Sequence, residues 1–342
     1  MNSKELVSIT LTGKPAPRTA TGPLAVHYCA RVAGVSIDEY TSDPTALADS
    51  VIRYWEESQP DAVWLSADTW VSAQAMGVVV GSPGKNLPWS GLGPPLIRTA
   101  QEIDRIPRPD PSTQGRYPVM IEALGRILDA LGDEAFVVAC FDQYPFSLAS
   151  QLLGINEIMV RLLDDRPLVE ALMERCLEYG LAYGRALGEA GAHLLSGGDS
   201  PAGLIGPELF REIALPFEKR LIQRLKEATG KPVSLHICGD STSILEDMSV
   251  SGADVLEIDH KVDIARACRL IGLETALWGN LDPVGVLAQG SPAQVREAAR
   301  LVLDAVRAAG HTRFVLSSGC TLALETPAAN LEALLRAPAR LP

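Results

Sequence analysis

The segment Pro232-Val-Ser-Leu-His-Ile-Cys-Gly-Asp240 decides the fold, and it does so together with a second run, Phe314-Val-Leu-Ser-Ser-Gly-Cys320. Each is a short apolar stretch that ends in polar, metal-competent side chains beside a glycine. In an extended strand, residues i and i+2 point to the same side. His236 and Cys238 therefore project from one face just before Gly239 breaks the strand, and Cys320 closes its own run in the same way. If both strands lie in one parallel sheet, an imidazole and two thiols converge. A zinc ion readily takes such a set, and three protein ligands leave a fourth position for chemistry.

Outward from these runs, strand and helix patterns alternate. Strands are predicted at Phe136–Phe141, Ala192–Ser196, Val233–Cys238, Val255–Ile258, Thr275–Trp278 and Arg313–Leu316, with an earlier one in Asp61-Ala-Val-Trp-Leu-Ser66. Helices are predicted at Leu168–Ala190, Pro207–Thr229, Ile264–Ile271 and Pro292–Ala309, two of them opened by proline in the first turn. This alternation implies a parallel α/β sheet. Polar residues after nearly every strand (Asp142, Asp199, Asp259, Asn280) favour a closed (β/α)₈ TIM-type barrel, whose sites gather at the C-terminal strand ends, over an open sheet with one switch point. There is no G-x-G-x-x-G and no phosphate loop.

The chain of 342 residues is expected to be one barrel domain, with an N-terminal extension over about 1–60. A turn-rich excursion over about 77–118, containing a short hairpin around Val78–Val80, is expected near the barrel mouth. Apolar residues make up 47 % and charged residues 21 %, and mean hydropathy is +0.12, as in a soluble globular chain. No apolar run approaches the ~20 residues that span a bilayer, and the first residues lack a secretory h-region, so neither membrane nor export is expected and a cytoplasmic location is. A net charge of −12 with scattered basic residues argues against nucleic acid as a partner.

The six cysteines do not read as a disulfide framework. Cys140, Cys176 and Cys268 are expected as small buried hydrophobes, and His27, His193 and His311 as structural. Asp199 reads equally as a substrate contact or as a turn carboxylate. Asp259 reads as a partner of the ligand strand or as a substrate contact. Asn280 is a candidate polar contact, and Asp142 a candidate orienting acid. Glu257 and Asp259 share one face of their strand, but sequence does not say whether that face is inward.

Several stretches resemble the uroporphyrinogen decarboxylase superfamily: Phe210–Pro216 with Phe217-Glu-Lys-Arg220, Lys231–Asp240, Gly252–Asp259, Trp278–Pro283, Ser318-Gly-Cys320 and Glu325-Thr-Pro327. The resemblance implies a single-domain (β/α)₈ barrel. His-x-Cys followed by a distant Gly-Cys is similar to its corrinoid methyltransferase branch. That branch implies Zn²⁺ on His236, Cys238 and Cys320, methylcobalamin carried by a separate corrinoid protein, and a methyl acceptor such as coenzyme M or tetrahydrofolate. By analogy with the family, a homodimer is expected. The alternatives are a uroporphyrinogen-type decarboxylase and a non-catalytic barrel that binds a tetrapyrrole or small molecule. Decarboxylation would require several cations for the substrate's carboxylates, and Gly22–Arg31, the segment corresponding to the arginine-rich motif, offers only Arg31.

Overall fold

The computed structural model describes residues 1–84 and 87–340, save the side chains of 339–340. Eight parallel strands form the barrel: β1 (Ala20–Thr21), β2 (Ala62–Leu65), β3 (Phe136–Gln143), β4 (Leu194–Gly198), β5 (Val233–Ile237), β6 (Val255–Ile258), β7 (Ala276–Leu281) and β8 (Phe314–Ser318). Each of β2 to β7 pairs with the strand of the next helical crossover, starting with β2 on β3, and β1 pairs with β8. The expected barrel is what the chain forms.

Its seam lies between β1 and β2, and Asp61 closes it. The Asp61 N–H donates to the Thr21 carbonyl at 3.0 Å, while its carboxylate accepts the Thr21 N–H at 2.8 Å and a bidentate pair from Arg18 at 2.6 Å. β1 falls inside the segment expected to be an N-terminal extension. Two residues are too few to show a period of two, so this strand had no signature in the pattern.

Along the barrel axis the interior changes character. At the N-terminal end, Ala62, Trp64, Phe136, Val138, Leu194, Val255, Ala276, Trp278 and Val315 form an apolar plug. The N-terminal helix α1 (Ser3–Leu11), started by an Asn2–Glu5 capping box, lays Leu6 and Val7 across it. Trp64 and Trp278 meet edge to face at 5.7 Å, and both indole N–H groups point to the Gly22 carbonyl. A Cβ on Gly22 would lie 2.4 Å from Trp278 Cζ2, so only glycine fits there. One layer further up, Ser196, Ser234 and Glu257 replace the apolar residues. Ser196 and Ser234 both donate to Glu257 Oε1, at 2.7 and 2.5 Å.

The hairpin is present but small and one step later than expected: Val80–Gly81 pairs antiparallel with Ser90–Gly91. The helix predicted over Pro207–Thr229 is broken into Gly206–Leu209, a wide π turn at Phe210–Ala214, and Leu215–Thr229. Pro216 has no N–H to give to the preceding turn, which accounts for the widening. No single helix among the described residues is long and apolar enough to cross a membrane.

Candidate metal centre

β5 ends at Ile237, and the turn that follows carries Cys238 over the barrel mouth. β8 ends at Ser318, and Gly319-Cys320 turns in from the other side. A Cβ on Gly319 would sit 2.3 Å from the backbone nitrogen of His260, so glycine is required for this approach. The result is a compact donor set. His236 Nε2 lies 3.0 Å from Cys238 Sγ, Cys238 Sγ lies 3.6 Å from Cys320 Sγ, and all three ligand atoms fall within 4.8 Å of one another. The spacing on β5 and the distant Gly-Cys thus meet as the sequence pattern anticipated.

The imidazole is oriented for ligation. Its Nδ1 lies 3.0 Å from the Glu257 backbone carbonyl, which can only accept, so Nδ1 carries a proton and Nε2 is the nitrogen turned toward the sulfurs. The thiols are polarised too. The Cys320 hydrogen bond and the neighbouring His236 hold the Cys238 thiol well below its ordinary pKa, against burial. The same hydrogen bond pushes Cys320 up. Burial lowers the His236 pKa, but the adjoining Cys238 thiolate more than offsets this and raises it. One imidazole and two thiols at van der Waals separation, with the imidazole's second nitrogen already engaged, fit a tetrahedral metal that keeps one open position.

Asp259 supports the ligand turn. Its carboxylate accepts the Gly239 N–H at 2.9 Å, directly after Cys238, and the Lys261 N–H at 2.8 Å. Of its two sequence readings, the geometry matches the partner of the ligand strand. Of the other three candidates, Asp199 and Asn280 are spent on the fold rather than open to a substrate, and Asp142 makes an orienting contact of the kind its reading names. Asp199 is wholly buried, with Oδ1 accepting the Ser147 N–H at 2.8 Å and its side chain facing Glu218, so no surface remains for a substrate. Asn280 spends its amide on the carbonyls of Asp259 (3.1 Å) and Val262 (2.8 Å), which ties down the loop after β6. Asp142, at φ 79°, accepts the Ser72 N–H at 2.7 Å and joins the end of β3 to the helix Val71–Ala75 that follows β2. Its burial pushes its carboxyl up to about 7.

Ser200 was not singled out in the sequence, and Glu257 was named there only with its face undecided. The inward face shared by His236 and Glu257 becomes visible only with the strand register, which sets the two residues side by side. The Ser200 Oγ accepts the Cys238 N–H at 3.2 Å, and no local motif announces that contact.

The uroporphyrinogen decarboxylase (URO-D) family pattern matches residues 2–341. The chain belongs to this family. A methylcobamide:CoM methyltransferase, MtbA, of Methanosarcina mazei is 33 % identical over 242 residues, covering 70 % of this chain and 68 % of that protein. The uroporphyrinogen decarboxylase of a Synechocystis species is 27 % identical over 309 residues, covering 86 % of this chain and 83 % of that protein. Among solved structures, a methyltransferase from Methanosarcina mazei superposes with a TM-score of 0.88 at 26 % identity and covers 98 % of both chains. Both activities therefore occur among the URO-D relatives of this chain.

Proposed function

We propose that this URO-D chain is a corrinoid-dependent methyltransferase with its metal centre on His236, Cys238 and Cys320. One observation carries the reading: Nε2 and two Sγ atoms within 4.8 Å of one another at the C-terminal end of the barrel, where such folds keep their active sites. Zinc bound there would lower the pKa of an acceptor thiol and present it as a nucleophile toward a methyl group.

The chain's own groups prepare that chemistry. The Glu257 carbonyl fixes the His236 tautomer, and the Asp259 carboxylate holds the turn that carries Cys238. Two thiolates cancel the charge of a dication, so the centre presents no net charge to an anionic acceptor. The methyl group would come from methylcobalamin on a separate corrinoid protein, and the acceptor would be a thiol such as coenzyme M, or tetrahydrofolate. The similarity to methylcobamide:CoM methyltransferases supports this assignment.

The decarboxylase reading meets a specific obstacle. Arg31, the lone cation of Gly22–Arg31, directs its guanidinium at the carbonyls of Leu324 and Thr326 and holds the C-terminal loop.

The test is demethylation of methylcobalamin by the zinc-loaded chain, followed by absorbance, with coenzyme M, other thiols and tetrahydrofolate in turn. The expected outcome is turnover with one acceptor that disappears in Cys320→Ser. Decarboxylation of uroporphyrinogen with no demethylation in any combination would overturn the proposal.

A further inference from the structure

The turn after β4 touches both halves of the ligand motif. Asp199 donates its backbone N–H to the His236 carbonyl at 2.8 Å. One residue on, the Ser200 Oγ accepts the Cys238 N–H at 3.2 Å. This turn is anchored from behind. Asp199 is fully buried, its carboxylate receives the Ser147 N–H at the start of helix Pro145–Leu153, and its side chain abuts Glu218 on the helix Leu215–Thr229. Pro201 restricts the backbone on the other side of Ser200. Ser200 is thus held at the sulfur centre by fixed structure.

The Cys238 N–H bond to the Ser200 Oγ and the Asp199 N–H bond to the His236 carbonyl fix the backbone on both sides of Ile237, and with it the direction in which the two ligand side chains leave the strand end. We propose that Ser200 is a positioning residue of the metal centre, which pins the Cys238 backbone to the β4 turn and so fixes where the Cys238 sulfur stands. A ligand set binds a cation well when its donor atoms are fixed relative to one another, and an outer contact that orients one of them raises affinity. The inference rests on the metal reading given under Proposed function.

Its test uses the purified chain titrated with Zn²⁺ against a competing chromophoric chelator and, separately, with Co²⁺ to record the thiolate-to-cobalt absorption. In Ser200→Ala the charge-transfer band is expected to shift and broaden as the Cys238 sulfur loses its fixed position, with zinc affinity weakened on the order of 10-fold. Ser200→Thr, which keeps the hydroxyl, is expected to restore both. A folded Ser200→Ala chain with the wild-type band and affinity would overturn the role of Ser200. Failure of the wild-type chain to bind either ion would remove the metal reading itself, a result read in a different arm.

Discussion

The two ends of the barrel interior do different work with the same strands. At the N-terminal end, Trp64, Trp278, Phe136 and their neighbours exclude water under α1. At the C-terminal end, β4 and β6 carry Ser196 and Glu257 above that plug and β5 adds Ser234 and His236, with Cys238 and Cys320 just beyond. Burial of apolar area stabilises the first end. At the second, polar groups are held in fixed orientations by hydrogen bonds, an arrangement that adds little net stability but sets geometry. Within β7 the change takes two residues, from Trp278, packed on Trp64, to Asn280, bonded to the loop after β6.

The sharpest way to separate the two ends is to strip the upper one. His236→Ala or Cys320→Ser should reduce zinc affinity by about 100-fold or more and abolish methyl transfer, while thermal unfolding, followed by circular dichroism, barely moves. A large loss of stability in these variants would mean that the upper end also holds the fold.

The converse substitution is Trp278→Ala. It removes a fully buried indole and its hydrogen bond to Gly22, so a loss of about 3–5 kcal/mol is expected in denaturant unfolding. The folded fraction should keep the cobalt spectrum of the wild type. A perturbed spectrum would show that the apolar plug and the metal turn are coupled.

Two glycines allow the same mutation to be compared across the barrel. In Gly22→Ala the new Cβ meets Trp278, and stability should fall with metal affinity unchanged. In Gly319→Ala it meets the His260 backbone beside Cys320. There zinc affinity should fall on the order of 10-fold, with a smaller change in stability. Chelator competition and unfolding measurements on both variants make the check, and identical profiles would erase the distinction.

A pH dependence of stability is expected from Asp142. Burial raises its folded pKa from the ordinary 3.8 to about 7. Below about 4 the carboxyl is protonated in both states and its contribution is intact. Between there and about 7 only the unfolded chain releases the proton, so stability falls by up to about 1.4 kcal/mol per pH unit and levels off above. Asp142→Asn should flatten that window in unfolding measurements at pH 4, 5.5 and 7.

Much of this division could be read in the sequence. Parallel strands betray themselves as short apolar runs between amphipathic helices, and His236-x-Cys238 with Gly319-Cys320 marked the ends of two of them. What the pattern could not carry is what satisfies each polar atom. Asp142, Asp199 and Asn280 stand at strand ends as expected, but backbone groups of helix first turns and of the loop after β6 claim their side chains. The inward placement of Glu257 depends on register, and the role of Ser200 on a turn that meets β5 only in three dimensions. β1 is held by Asp61 and Arg18 more than by any strand propensity of its own two residues.

The central claim is a metal centre made by His236, Cys238 and Cys320, and elemental analysis of the purified chain tests it most directly. The account expects about one zinc per chain in the wild type and almost none in Cys320→Ser at unchanged folding. A metal-free wild-type chain that demethylates methylcobalamin at full rate would contradict it.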